Sequence, residues 1–327
     1  MTPTAPADQA VPAGSAGALS AKRPLGDRIF QIITLAAGLL VLVILVLIAV
    51  STSQQASSWF STEGISGIFS KTWNPQTNHF GALTFIYGTA IASLIAVVLA
   101  VPVSLGIALL LTQVVPQRWA RPIVYVIDLL AVVPSVVWGL WGFLVFAPWL
   151  QGIYTSIGNT LNGVPVLGSL FGPPVSGASF LTAGIILAFM ITPIVTSLSR
   201  EVIATVPSMD REGAYALGAT RLEMIRGVVL PHSQGGIVGA VLLGLGRAVG
   251  ETIAVALVIG SSATITSHLL APGYTIPAVI ANQFGEATGL FRSALMGLAV
   301  LLFIFTIIIN VVARAIVERS ARRGRGT

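Results

Sequence analysis

Six apolar runs, each long enough to cross a bilayer, constrain this chain more than any other feature. They lie at residues 29–50, 82–111, 122–147, 178–199, 235–260 and 291–313. About 20 apolar residues of helix cross the hydrocarbon core of a membrane. In lipid every backbone amide needs a partner within the protein, so such runs read as helices. Of the 327 residues, 55% are hydrophobic and only 9% charged, whereas soluble domains carry roughly 25% charge. The fold class read from this pattern is all-α integral membrane, with six spans. Pro102, Pro134 and Pro193 fall inside three of the runs and mark expected bends.

Residues 1–21 are rich in Ala, Pro, Gly and Ser and read as a disordered N-terminus. Lys22, Arg23 and Arg28 then precede Ile29–Val50. That run exceeds the roughly 7–15 apolar residues of a signal peptide and has no small-residue cleavage site after it, so it reads as a retained first helix. The expected division is 1–21 as tail, 22–80 as first helix plus extracytoplasmic segment, 81–317 as a five-helix core with a cytoplasmic loop at 200–234, and 318–327 as a basic tail. Of the 17 Lys and Arg residues, all but Lys71, Arg292 and the intramembrane Arg247 fall on one side. This asymmetry places both termini in the cytoplasm, with the chain spanning the plasma membrane. It also accounts for the net charge of +6 with membrane lipid, rather than nucleic acid, as the partner.

Function classes fall away in turn. The chain has no cysteine, which removes disulfides and thiolate metal sites. Its two lysines, Lys22 and Lys71, follow Ala21 and Ser70, so neither fits the Gly-Lys-Ser/Thr end of a phosphate-cradling ATP loop. Neither a G-x-S-x-G elbow nor an H-E-x-x-H helix is present. His79, His232 and His268 do not cluster in sequence. No catalytic residue, metal or cofactor is expected in this chain.

Against that background Arg247 and Glu251 stand out, because they lie inside the run 235–260. An Arg at bilayer depth costs about 2.5–3.5 kcal/mol even on the lenient insertion scale, so such residues face a protein interior or a wet path. With Gln234 as the inner end of the fifth helix, Arg247 lies about 20 Å in, near the midplane where transporter sites tend to form. A continuous helix puts Arg247 and Glu251, four residues apart, on one face. Two readings of the pair stand. Arg247 offers a permanently charged, forked donor to a passing anion, with Glu251 as its counter-ion at rest; or the two form a lasting ion pair that locks the fifth helix to a neighbour. Gly246 and Gly250 form a G-x-x-x-G pair, a close-packing signature. Asp128 reads as a structural partner, since a carboxylate repels an anion. Ser135, Thr192 and Thr196 sit at or near prolines, where hydroxyls commonly satisfy freed carbonyls. Trp59, Trp73, Trp119 and Trp149 fit interfacial anchors.

The loop 200–234 mixes both signs of charge with interleaved apolar residues and reads as two short helices broken at Gly218. Its spacing is more specific. Glu212-Gly213-Ala214, three residues, Gly218, nine residues and Val228-Val229-Leu230-Pro231 resemble the EAA loop of type I ATP-binding-cassette importer permeases, with Gly213 and Val228 as mild departures. The strings around Thr72–Pro75, Phe80–Leu83, Leu129–Gly142 and Leu245–Thr252 look like the C-type permease family of the Pst phosphate importers, and only the first 20 or so residues fall outside the likeness. The resemblance implies a type I importer permease fold. It makes Glu212, Ala214, Gly218, Leu230 and Pro231 the coupling contact with an ATPase dimer that binds ATP and Mg. It also implies a related A-type permease, an extracytoplasmic phosphate-binding protein, and phosphate as the transported ion. Rival readings are a permease for another oxyanion, such as sulfate or molybdate; a passive anion channel; and an intramembrane enzyme, for which no nucleophile or metal set is visible.

Overall fold

The computed structural model describes residues 25–161, 163–172 and 176–324. The expected disordered tail at 1–21 lies outside the described residues. The chain divides into two compact units, Met1–Val50 and Ser51–Thr327. In the first, the described residues belong to helix α1, Leu25–Glu63, and their apolar side chains from Ile29 to Val50 are largely exposed. No soluble protein tolerates such a surface; lipid accommodates it.

The second unit holds the rest of α1 and everything after it. A short helix α2, Ser66–Phe69, leads into a two-residue hairpin, β1 (Trp73–Asn74) and β2 (His79–Phe80), with Trp73 opposite Phe80. Then follow α3 (Leu83–Leu109), α4 (Gln117–Val132), α5 (Ser135–Trp141), α6 (Ala147–Leu161), α7 (Leu167–Leu170), α8 (Phe180–Ala204), α9 (Ser208–Ala216), α10 (Arg221–Met224), α11 (Leu230–Gly250), α12 (Ile253–Val258), α13 (Ile276–Gln283) and α14 (Gly289–Gly324). Single π-helical turns at Leu110–Val114, Gly142–Phe146 and Ile225–Val229 widen the ladder. Among the described residues six helical stretches are long and apolar enough to span: 26–63, 83–114, 135–161, 180–204, 221–250 and 289–312.

The core forms where small residues let helices approach. On α3, Gly88, Ala92, Ala96, Ala100, Ser104 and Ala108 recur every fourth residue and all are buried. On α8, a Cβ at Gly184 would run into the Ile95 side chain of α3. Without a hydrophobic drive between helices in lipid, close backbone approach of this kind supplies the packing energy. The second half of α1 joins this core. Trp59 is fully buried, its Nε1 donates to Phe80 O at 2.9 Å, and its ring fills the space that Gly297 of α14 leaves open. It is therefore not an interfacial anchor. Trp73 also packs inward, edge-on to Phe85 and donating to Gln283 Oε1 at 3.0 Å. Trp119 and Trp149 remain exposed.

Two expected spans are corrected. The run 122–147 is not one helix. Pro134 has no N–H to donate and forces Val133 out of the α region; Val133 sits at φ −57°, ψ 125°. The spanning helix starts at Ser135 and continues to Leu161 through the π turn, well past the expected end at 147. The fifth run, 235–260, also breaks. Its helix α11 ends at Gly250, and Glu251 is extended at φ −70°, ψ 126°. After α12, Gly260 adopts φ +92°, and residues 261–275 lead into α13. There Ile276 N donates to the buried Thr89 Oγ1 of α3 at 2.9 Å.

Candidate functional site

Helix α11 has two unlike faces. One is packed: Ser233, Ile237, Ala240, Gly244, Ala248 and Val249 are buried. A Cβ at Gly236 would strike the Val202 side chain of α8, and one at Gly244 would lie 2.7 Å from Val195 Cγ2. The other face carries Gly235, Gly239, Leu243 and Arg247 at four-residue intervals, all exposed, with Gly246 and Gly250 beside them. A Cβ at Gly235, Gly239, Gly246 or Gly250 meets nothing within 4 Å. The packing expected of Gly246 and Gly250 is thus not made among the described residues; Gly236 and Gly244 make it instead.

Arg247 occupies the last turn of α11, on this open face. Gly244, one turn earlier, abuts Val195 and Ile191, the middle of the 25-residue helix α8. Arg247 therefore lies near mid-span. Its positive charge complements the negative end of the helix dipole there.

The expected Arg247–Glu251 pair on one helical face does not form. Among the described residues the only ionic contact within 4 Å is His79 Nδ1 with Glu63 Oε1, at 3.5 Å. The physical reason is the helix break: residue 251 lies past the last turn of α11, so the i,i+4 geometry is lost. Glu251 instead turns toward the next half-helix, where its Oε1 accepts from Ala254 N at 3.4 Å. That half-helix is held tightly, since a Cβ at Gly139 of α5 would come 2.9 Å from Ala254 Cα. The fifth span is thus a discontinuous helix with an arginine on one side of the break and a capping carboxylate on the other. Half-helix ends of this kind, buried at membrane depth, are where transporters commonly bind ions.

The remaining polar candidates have ordinary partners or none. Asp128 Oδ1 accepts from Ser197 Oγ at 3.2 Å, a link between α4 and α8 that involves no arginine. Thr192 Oγ1 donates to Ala188 O at 2.7 Å and Thr192 O accepts from Ser104 Oγ at 3.2 Å. Thr196 Oγ1 is buried without a hydrogen-bond partner.

The loop 200–234 folds as its spacing predicts, into two short helices. Helix α9 ends in a tight turn where Gly218 takes φ +84°, a left-handed conformation that L side chains resist. Gly218 N donates to Tyr215 O at 2.9 Å and Ala219 N to Ala214 O at 3.1 Å, which satisfies the last carbonyls of the helix. Thr220 and Glu223 then close a capping box at the start of α10. Pro231 sits in the first turn of α11, where a missing N–H is tolerated. The π turn before it lets Leu230 N reach Ile225 O. Of the five motif residues, Ala214 and Leu230 pack against a small core of Ala108, Ile203, Val206, Met224, Val229 and Ile237. Glu212, Gly218 and Pro231 are exposed. Around Glu212, Met209 and Leu217 are 80% and 91% exposed. The motif thus fixes α9 from below and leaves an apolar and acidic upper face with nothing on it.

Residues 100–326 match the family described as binding-protein-dependent transport system inner membrane component. The chain belongs to this family of importer permeases, and within it groups with the PstC proteins. It is 46% identical over 299 residues to the phosphate transport system permease protein PstC of Xylella fastidiosa (strain Temecula1), spanning 91% of this chain and 92% of that protein. It is likewise 46% identical to the PstC of Mesorhizobium japonicum, over 92% of this chain and 93% of that one. Among solved structures, a chain of a bacterial ABC transporter involved in the import of the acidic polysaccharide alginate superposes with a TM-score of 0.56 at 16% identity, over 90% of this chain and 98% of that one. That likeness concerns the fold alone. The chain is a multi-pass protein of the bacterial plasma membrane.

Proposed function

We propose that this chain is one of two permease subunits of an ATP-driven importer of inorganic phosphate. An A-type permease completes the path, an extracytoplasmic binding protein delivers phosphate, and a partner ATPase dimer binds ATP and Mg. The observation that carries the reading is the open face of α11, with Arg247 exposed near mid-span beside glycines that none of the described residues covers. Against lipid an arginine there is costly. Against a second permease across a wet path it is useful, because its planar fork donates paired hydrogen bonds to an oxyanion. Similarity to relatives named for phosphate transport supports phosphate over sulfate or molybdate.

In this reading both termini and α9 face the cytoplasm, as the distribution of basic residues favours. The exposed Glu212, Met209 and Leu217 surface docks into a groove of the ATPase, a helix-in-groove contact. ATP-driven movement of the ATPase subunits pushes α9, and the small core of Ala214 and Leu230 transmits the push to α3, α8 and α11. Arg247 lowers the barrier for the anion, while Glu251 fixes the break in the span by capping α12. Direction comes from states that differ in affinity for phosphate. The test is phosphate uptake by the Arg247→Gln complex. Uptake should fall by about ten- to a hundredfold while the subunits still co-purify; normal uptake by an assembled variant sinks the reading.

A further inference from the structure

At the basic end of the second unit, a cavity of about 600 Å³ opens between the end of α3, the first turns of α4, the end of α8 and α9. Three arginines from three elements converge on it: Arg121 of α4, Arg200 of α8 and Arg211 of α9. No Asp or Glu lines it, and among the described residues none of the three has a carboxylate within 4 Å. Arg200 and Arg211 are partly buried. Gln113 also lines the cavity, and its Nε2 is buried without a hydrogen-bond partner. A buried amide donor left unmet costs about 1–3 kcal/mol, and three unneutralised guanidiniums around one space repel each other. Basic residues scattered on a membrane flank explain positive charge; they do not explain three arginines and an unmet amide lining one concavity with no described carboxylate among the lining residues.

We propose that this cavity is a second anion site, separate from Arg247, that takes a phosphate group. The ligand chemistry is a phosphate oxyanion held by forked guanidinium donors and the Gln113 amide. It has two possible sources, free inorganic phosphate or the headgroup of an anionic phospholipid, since the cavity lies at the end of the spans. Occupancy would tie Arg211 on α9 to Arg200 on α8 through one shared anion, and so stiffen the joint between the loop and the span it adjoins. The site stands whether or not Arg247 lines the transport path.

The chain has no cysteine, so Gln117→Cys, at the rim of the cavity, gives this subunit a single thiol. The thiol alkylation rate is measured in the assembled complex in nanodiscs, with labelling read on this subunit's band. If free phosphate is the ligand, inorganic phosphate slows labelling in phosphatidylcholine discs, and chloride at equal ionic strength does not. If a headgroup is the ligand, adding phosphatidylglycerol to phosphate-free discs slows it. In the same background, Arg121→Gln with Arg200→Gln weakens that protection by roughly tenfold for each arginine removed, the equivalent of one lost charged hydrogen bond apiece. Labelling that neither phosphate nor phosphatidylglycerol slows overturns the proposal, as does full protection in the double variant. The protection measurement needs no charge-removed protein, so it decides the matter even where that variant fails to assemble.

Discussion

The two faces of the segment 208–250 obey opposite rules. On the face toward α3 and α8, glycines are there because there is no room. Gly236 and Gly244 abut Val202 and Val195, and Ala214 and Leu230 close a small apolar core. On the other face, Gly235, Gly239, Gly246 and Gly250 have nothing near them, while Arg247, Glu212 and Leu217 are exposed. The same residue type thus marks contact within the chain on one side and, in our reading, contact with a second chain on the other. Exposed charge and glycine in a span are a sign of incompleteness: this chain is built to be one part of an assembly.

The comparison can be broken at several points. Arg247 carries the largest expected effect. Arg247→Gln should lower phosphate uptake by about ten- to a hundredfold, the equivalent of one charged hydrogen bond. Arg247→Lys, which keeps charge but loses the fork, should fall between the two. Equal uptake by the glutamine and arginine forms would remove the open face from the transport path. On the packed face, Gly236→Ala overfills the contact with Val202 and should destabilise the subunit by about 1–3 kcal/mol, read as a lower melting temperature in detergent. Its mirror on the open face, Gly239→Ala, should leave that temperature within about 0.5 kcal/mol yet reduce co-purification with the second permease. If both glycines behave alike, the distinction between faces fails. Gly218→Ala places a side chain at φ +84° and should cost about 1–2 kcal/mol, loosening α9 and lowering transport-linked ATP hydrolysis. The smallest change is Thr220→Ala, which removes the capping box and should cost about 1 kcal/mol; faster proteolysis of the loop is the readout.

Much of this was legible in sequence, for identifiable reasons. The spans show because lipid demands long apolar helices, and the loop shows because Gly218 and Pro231 punctuate it with fixed backbone requirements. The errors share a cause. Periodicity assumes a continuous helix, so it paired Arg247 with Glu251 across a break it could not see. Pro134 was read as a bend, but in the fold it separates α4 from the span. The i,i+4 stripe from Gly88 to Ala108 was readable and went unused, although it is the main packing signal of the core. The G-x-x-x-G at Gly246 meets no partner among the described residues. A sequence motif for close approach says that something comes near; it does not say whose surface that is. The basic cavity was invisible for a further reason: Arg121 is far in sequence from Arg200 and Arg211, and each looks like ordinary flanking charge.

The joint around Trp59 has a consequence for biosynthesis. Trp59 N donates to Ser293 Oγ at 3.0 Å, and the same hydroxyl donates to Gln55 O at 2.8 Å across 238 positions. Gly297 supplies the seat for the indole ring. The Trp59 end of α1 therefore waits for α14. Contacts so distant in sequence cannot reward the chain until Ser293 and Gly297 have been made, so truncation before Ser293 should release residues 51–63 from the core however well the intervening spans have inserted.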